Sequence, residues 1–255
     1  MVRNISFCCK RDNSMENEDT QEVHVGEENI GSDVDESNAR FNKVYYWNER
    51  FAEEEKYDWL LEYQHISNEL EPLLKKTDNI LVVGCGNSTF SRQLFDAGFT
   101  NVTNIDYSGV VIDKMRELHS AECPTMKWVE MDMTNMSFAD HTFDVVLDKA
   151  AMDALVVEEG DVWDPEPATI EVVHKMSTEV RRVLKPGHGR HIQISFSQPH
   201  FRTKYLMGYR HTGANVSPYE SCKGESDVYK WNLSYKTVNK GAGSLDMFMY
   251  VMDVL

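Results

Sequence analysis

The stretch Asn79-Ile80-Leu81-Val82-Val83-Gly84-Cys85-Gly86-Asn87-Ser88 decides how the rest of the chain is organised. Its apolar half, residues 80–83, predicts a buried strand. The strand ends at a glycine-rich turn, and Asn87 or Ser88 is predicted to cap the helix that follows. A strand, a glycine turn and a helix N-terminus form a nucleotide-type site, because glycines let a ligand approach the backbone and free N–H groups favour an anion.

An acidic residue follows at the end of the next predicted strand. Residues 101–105 form this strand, and Asp106 lies about 20 residues beyond the glycines, where a Rossmann-type unit places an acid on ribose hydroxyls. Thr89 stands where a dinucleotide site has its third glycine. This replacement argues against NAD as the cofactor and favours S-adenosylmethionine, which has no pyrophosphate. A βαβ unit without any ligand is the alternative.

The remaining pattern repeats strand and helix five times and ends in a hairpin. Further strands are predicted at residues 126–130, 143–149, 191–196, 229–238 and 245–254, with a long helix at 169–184. Tyr57-Asp58-Trp59 is predicted to open a helix, and Pro199-His200-Phe201-Arg202 to begin a polar loop rich in Tyr and Gly. We therefore predict an α/β fold with a doubly wound, seven-stranded, mostly parallel sheet and a C-terminal antiparallel hairpin.

Composition limits the partners and the compartment. The 255 residues carry a formal net charge of −16, which argues against general binding to nucleic-acid backbones and is compatible with a basic protein partner. Residues 1–39 are predicted to be a disordered acidic tail, and residues 40–255 one folded domain.

No run is long and apolar enough to cross a membrane. Five scattered cysteines lack metal spacing and indicate a reducing compartment. We expect a cytoplasmic monomer without metal.

Ligands of such sheets lie beyond the carboxyl ends of the strands, and these ends supply the candidate site residues. The candidates are Gly84, Gly86, Asp106, Tyr107, Asp132, Met133 and Lys149. Asp106 would accept from ribose hydroxyls, and Asp132 from an adenine amino group. Tyr107 would cover the adenine face, and the Met133 N–H would donate to a ring nitrogen. Core packing is the alternative for Tyr107 and Met133, and a solvated strand end is the alternative for Lys149.

Several of these motifs resemble those of class I S-adenosylmethionine-dependent methyltransferases. They are Gly84-Cys85-Gly86-Asn87-Ser88, Asp106-Tyr107-Ser108, Met131-Asp132 and the segment from Phe143 to Lys149. A narrower set is similar to the branch that methylates lysines of translation elongation factor one-alpha. This set comprises Tyr45-Tyr46-Trp47, Tyr57-Asp58-Trp59, Asp148-Lys149 followed by Met152-Asp153-Ala154-Leu155, and Pro199-His200-Phe201-Arg202. The resemblance covers residues 40–202.

The resemblance implies a site and a reaction. Trp47, Phe51 and Trp59 would close over the cofactor from the N-terminal helices, although Phe51 stands where the family pattern has a tyrosine. The implied activity is N-methylation of a lysine on a basic elongation factor, with S-adenosylhomocysteine as the product. Asp148, Asp153 and Tyr205 are candidate catalytic groups on the acceptor side, since a lysine acceptor must arrive neutral.

Other functions fit parts of the pattern. A small-molecule methyltransferase would share the fold, a non-catalytic module would keep a degenerate site, and an NAD-dependent enzyme would use the same βαβ unit. Thr89 argues against NAD, and the acids at two strand ends argue against a degenerate site. No Asn-Pro-Pro-Tyr signature follows the fourth predicted strand, which argues against methylation of an amide or adenine nitrogen.

Overall fold

The computed structural model describes residues 39–208, 223–241 and 243–255. The predicted disordered tail, apart from Ala39, lies outside the described residues, as does most of the predicted Tyr- and Gly-rich loop. Within the described ranges, no helix has the length and apolar character needed to cross a membrane. The same ranges contain no group of three or more His, Cys, Asp or Glu side chains arranged to hold a metal ion.

One large sheet organises the described part of the chain. The strands are β1 (Ile80–Val83), β2 (Val102–Asp106), β3 (Lys127–Glu130), β4 (Val145–Lys149), β5 (Gly160–Asp161), β6 (Asp164–Pro165), β7 (Arg190–Ser195), β8 (Gly224–Ser226), β9 (Trp231–Val238) and β10 (Met247–Val254). The sheet order is β3-β2-β1-β4-β7-β10-β9-β8, and β5 pairs with β6 in a separate hairpin. The strands β3, β2, β1, β4 and β7 run parallel, whereas β10, β9 and β8 pair antiparallel.

The predicted fold class is confirmed, with one addition. The seven predicted strands are all present, and β8 adds an eighth at the edge beyond β9. This strand has three residues, which is too short to show the alternation of polar and apolar side chains that identifies a strand in a sequence.

Helices cover both faces of the sheet. They are α1 (Val44–Glu53), α2 (Tyr63–Leu70), α3 (Phe90–Asp96), α4 (Gly109–His119), α5 (Ala151–Leu155), α6 (Pro167–Val183) and α7 (Pro199–Leu206), with 3-10 turns at Ala39–Asn42 and Glu71–Leu73. Side chains of β1 point alternately into two cores: Ile80 and Val82 pack in one, and Leu81 and Val83 in the other. Burial on both faces explains why β1 is continuously apolar rather than alternating.

Two predicted boundaries are wrong for local reasons. The helix predicted to open at Tyr57 begins instead at Tyr63, because Leu60 has a φ of 63° that no right-handed helix accepts. The loop predicted from Pro199 is helix α7, and the proline occupies its first turn, where a missing N–H costs nothing.

The helices that follow β1 and β2, α3 and α4, are capped by serines in different ways. Ser108 caps α4 as its side chain accepts from the Val111 N–H at 3.4 Å. Helix α3 begins one residue later than predicted, after Thr89, and the Ser88 hydroxyl accepts from the Phe90 N–H at 3.1 Å.

The glycine turn after β1 requires both of its glycines. Gly84 and Gly86 have φ values of 57° and 51°, in the region that L side chains rarely adopt. A Cβ on Gly84 would lie 2.5 Å from the Ala151 Cβ, and one on Gly86 would lie 3.4 Å from Cζ of Phe51. The turn is therefore packed tightly against α5 on one side and α1 on the other.

We expect Gly84→Ala to destabilise the protein more than Gly187→Ala. Both substitutions place alanine at a positive φ, which costs about 1–2 kcal/mol. Only Gly84→Ala adds a steric clash, since nothing lies within 4 Å of a Cβ built on Gly187. Urea unfolding should show a further loss of about 1–3 kcal/mol for Gly84→Ala, the usual cost of overpacking. Equal losses would contradict the close packing of Gly84 on Ala151.

Candidate active site

Asp106 joins the ends of β1 and β2 beneath the glycine turn. Its Oδ2 accepts from the Gly86 N–H at 3.0 Å, and its Oδ1 accepts from the Ser108 N–H at 3.0 Å. Burial raises the pKa of this carboxyl to about 6, although the backbone hydrogen bonds oppose the shift. The structure therefore places this carboxyl beside the glycine turn, and its contact with a ribose stays a prediction.

Tyr107, Asp132 and Met133 lie at the neighbouring strand ends. The exposed Asp132 uses Oδ1 to accept from the Thr134 N–H at 2.7 Å and the Thr134 hydroxyl at 2.8 Å. Burial, followed by the charges of Asp106 and Asp132, raises the pKa of the half-buried Tyr107, so these three residues share one region. Met133 packs partly into the core on the α6 face. The structure thus groups Tyr107 and Asp132 with Asp106.

An aromatic cluster covers the glycine turn from the N-terminal strap, which we define as residues 41–62. Trp47 stacks on Phe51 at 5.3 Å between centroids, and Trp47 meets Trp59 edge-on at 6.0 Å. The Arg50 guanidinium lies 4.9 Å from the ring centroids of both Tyr57 and Trp59. All three strap residues predicted to line the cofactor therefore lie in one cluster, with Phe51 against Gly86.

Polar contacts hold the strap to the body of the protein. Ser108 donates through its hydroxyl to Asn48 Oδ1 at 2.6 Å. The Lys114 ammonium donates to the carbonyls of Glu54 at 2.8 Å and Phe51 at 3.3 Å, at the negative end of the α1 dipole. Helix α1 is thus fixed to α4, directly after the acid of β2.

Lys149 extends from the end of β4 to the strap. Its ammonium donates to the Trp59 carbonyl at 2.9 Å and lies 3.5 Å from Asp58 Oδ1. Both side chains are only 7% exposed, so Lys149 is not a solvated strand end. Burial lowers the pKa of Lys149, and the charge of Asp58 opposes this shift. Burial alone would raise the pKa of Asp58, but hydrogen bonds from Ser88 and Thr89 and the charge of Lys149 hold it below its usual value.

The three candidate catalytic groups already have partners. Asp148 is buried and accepts from the Ala151 N–H at 2.8 Å and Gln193 Nε2 at 2.6 Å. Burial raises its pKa to about 6.

The other two candidates, Asp153 in α5 and Tyr205 in α7, also have partners. Asp153 forms a buried ion pair with Arg202 and accepts from the Ser195 hydroxyl at 2.6 Å. The Tyr205 hydroxyl donates to Glu159 at 2.6 Å. These contacts tie β4 and α5 to β7 and α7.

Sequence reasoning missed the residues that act through tertiary contacts. Asp58, Arg50 and Lys114 connect the strap to the strand ends, and Gln193 and Arg202 hold the two acids. Of these five residues, only Asp58 and Arg202 belong to motifs of the family resemblance, and the resemblance gave neither of them a function. Their positions depend on contacts between segments distant in the chain, which residue spacing does not indicate.

The residues present fit an adenosine cofactor with a sulfonium side chain. The glycines leave the backbone open where a Cβ would collide, Asp106 offers a carboxylate at the strand end, and aromatic rings form the cover. Residues 80–187 match a family model described as a methyltransferase domain. The fold is also similar to the N-methyltransferase NodS from Bradyrhizobium japonicum, with a TM-score of 0.53 and 14% identity over 84% of this chain and 98% of that chain. Fold and site together define a class I S-adenosylmethionine-dependent methyltransferase.

Sequence comparison narrows the class to a family. The chain is 39% identical over 176 residues to the Bos taurus protein named EEF1A lysine methyltransferase 4, which covers 68% of each chain. It is 34% identical over 218 residues to the human eEF1A lysine and N-terminal methyltransferase, covering 85% of this chain and 29% of that longer protein. The chain belongs to the family of these eEF1A lysine methyltransferases. S-adenosylmethionine is its methyl donor, and the NAD-dependent alternative is excluded.

We expect the affinity for S-adenosylhomocysteine to fall as the pH drops through about 6. The predicted role of Asp106 is to accept from ribose hydroxyls in its ionised form, so binding should favour the deprotonated acid and weaken up to about tenfold per pH unit below that pKa. Asp106→Asn should lose about 1.5–3 kcal/mol of binding free energy and most of this pH dependence. Calorimetric titration between pH 5 and 8 measures both. An unchanged pH profile in Asp106→Asn would exclude Asp106 as the titrating group.

Proposed function

We propose that the protein methylates the ε-amine of a lysine on eEF1A, a translation elongation factor. The observation that carries this proposal is the 39% identity with EEF1A lysine methyltransferase 4 over 68% of both chains. A small-molecule methyltransferase on the same fold is the second candidate. The distinction depends on the acceptor side of the site, where the described residues support a protein substrate.

The proposed chemistry asks the protein mainly for positioning. Bound S-adenosylmethionine supplies an activated methyl group that a neutral amine takes by in-line displacement, leaving S-adenosylhomocysteine. The free pKa of lysine is near 10.4, so the acceptor must lose its proton before it reacts. We propose that Asp148 and Asp153 position α5 and α7 rather than receive this proton, since both are buried, Asp148 accepts from Gln193 and Asp153 is paired with Arg202. Water then takes the proton.

A protein substrate is supported by the charge beside the acceptor side. From residue 150 to residue 174 the chain contains acidic side chains and no lysine or arginine. The exposed members of this stretch include Asp161 and Glu166, on and beside the β5–β6 hairpin. Trp163, 48% exposed, stacks on His200 at the start of α7. An acidic surface with an aromatic side chain suits a lysine-bearing basic segment of a protein.

The acidic hairpin lies at the edge of the sheet where ligands bind. Helix α5 follows the carboxyl end of β4, and α7 follows the carboxyl end of β7. Lys204 of α7 donates to the Val162 carbonyl, which anchors the hairpin to that helix. A substrate that crosses this surface would therefore reach the same edge as the glycine turn and Asp106.

We also propose a monomeric cytoplasmic enzyme with no nucleic-acid or membrane partner, whose catalysis does not need the tail at residues 1–39. The net charge of −16 and the acidic, polar composition of the tail support this proposal. Light scattering of the purified protein measures its molar mass in solution and so tests the monomeric state.

The decisive experiment is a methylation assay with labelled S-adenosylmethionine. We expect the purified protein to label eEF1A on one or a few lysines, identified by mass spectrometry, and a variant without residues 1–39 to keep this activity. Substitution of the labelled lysine by arginine should abolish incorporation at that site. Labelling of a small amine but of no protein in a cell lysate would favour the small-molecule alternative.

We expect Asp161→Asn/Glu166→Gln to lower kcat/KM for the protein substrate about tenfold at low ionic strength. Removal of two negative charges weakens attraction of a basic partner, and the loss should shrink as salt rises. The matched control is Glu225→Gln/Asp227→Asn, which removes two exposed charges at the opposite edge of the sheet. Equal effects of the two pairs would show that only the net charge matters. Affinity for S-adenosylhomocysteine should stay unchanged in both.

A further inference from the structure

Asp58 is the point where three separate parts of the cofactor site meet. It lies in the strap between α1 and α2, and it contacts the entry to α3 and the end of β4. The Ser88 hydroxyl donates to Oδ1, the Thr89 hydroxyl donates to Oδ2 at 2.8 Å, and the Lys149 ammonium lies 3.5 Å from Oδ1. The sequence places these partners about 30 and 90 residues away, so the contact exists only in the folded chain.

The chemistry of this site requires a carboxylate. All the groups that face Asp58 are donors, including the Thr89 N–H at 3.4 Å, and a carboxylate accepts on both oxygens. An amide of the same size would offer one oxygen and turn an NH₂ group toward another donor. Asp58 also balances the charge of Lys149, which is itself only 7% exposed. Removal of one partner leaves the other charge buried and uncompensated.

The position of Asp58 controls side chains that face the cofactor region. Lys149, held by Asp58, donates to the Trp59 carbonyl, and Trp59 packs against Trp47 in the aromatic cluster. Thr89 and Ser88 directly follow the glycine turn. A displaced Asp58 would therefore loosen both the aromatic cover and the turn beneath it.

We propose that Asp58 is a positioning residue for S-adenosylmethionine: it fixes the strap on the glycine turn and orients Lys149, and so sets the affinity and exchange rate of the cofactor. Its carboxylate accepts from Ser88 and Thr89 and pairs with Lys149, so it acts through these three residues. The proposal concerns the cofactor half of the site and does not depend on the identity of the methyl acceptor.

The first test is the binding of S-adenosylhomocysteine to Asp58→Asn, with Glu55→Gln as the matched control. Glu55 lies in the same strap, is exposed, and carries the same charge. We expect the dissociation constant of Asp58→Asn to rise at least tenfold with faster dissociation by stopped flow, and that of Glu55→Gln to stay within twofold of the wild type. An affinity within twofold of the wild type for a folded Asp58→Asn would overturn the proposal.

The second test separates positioning from stability alone. In steady state, Asp58→Asn should raise KM for S-adenosylmethionine and leave KM for the methyl acceptor unchanged. A rise confined to KM for the acceptor would overturn the proposal. If Asp58→Asn fails to fold, Thr89→Val decides, because it removes one hydroxyl donor and keeps both charges. We expect it to weaken binding of S-adenosylhomocysteine about threefold and to lower the melting temperature by no more than about 5 °C, and no weakening would overturn the proposal.

Discussion

The site depends on buried N–H groups at strand ends that need an acceptor. Asp106 accepts from Gly86 and Ser108, and through these two hydrogen bonds it holds the turn after β1 against the turn after β2. Asp148 repeats this arrangement after β4 by accepting from the Ala151 N–H. A buried N–H without a partner costs free energy, so each carboxylate stabilises its own turn. The turns are also the places where ligands of such sheets lie, so the acids shape the ligand site before any ligand binds.

Polar contacts attach the cover of this site, whereas apolar packing builds the sheet. Lys114 binds the C-terminal carbonyls of α1, Asn48 accepts from Ser108, and Asp58 with Lys149 fixes the following loop. Hydrogen bonds and ion pairs have narrow geometric requirements, so they specify one arrangement of the strap rather than a range of them. The strap supplies the aromatic side chains of the cover, and its polar contacts with the body of the protein determine where those side chains lie.

Local chemistry made much of the fold predictable from the sequence. Short apolar runs between turn residues predicted the strands, and the polar residues after the glycine turn predicted the start of α3, where the Ser88 hydroxyl accepts from the Phe90 N–H. The prediction failed where tertiary contacts outweigh local preference: the segment from Tyr57 is not helical, Leu60 has a φ of 63°, and Asp58 pairs with the distant Lys149. The strand-end rule predicted that Gly86 and Asp106 would be neighbours. It could not predict the partners of the candidate catalytic acids, since Gln193 and Arg202 reach Asp148 and Asp153 from β7 and α7.

The contact between Gly84 and Ala151 has a mechanical consequence. The turn after β1 and the start of α5 touch without space for one additional methyl group, and Ala150, just before α5, has a φ of 70°. Neither segment has freedom to yield, because close-packed interiors transmit small displacements. A shift of the glycine turn on meeting its ligand would therefore displace the N-terminus of α5, which carries Asp153 and lies beside Asp148. The glycine turn and the start of α5 therefore have to move together.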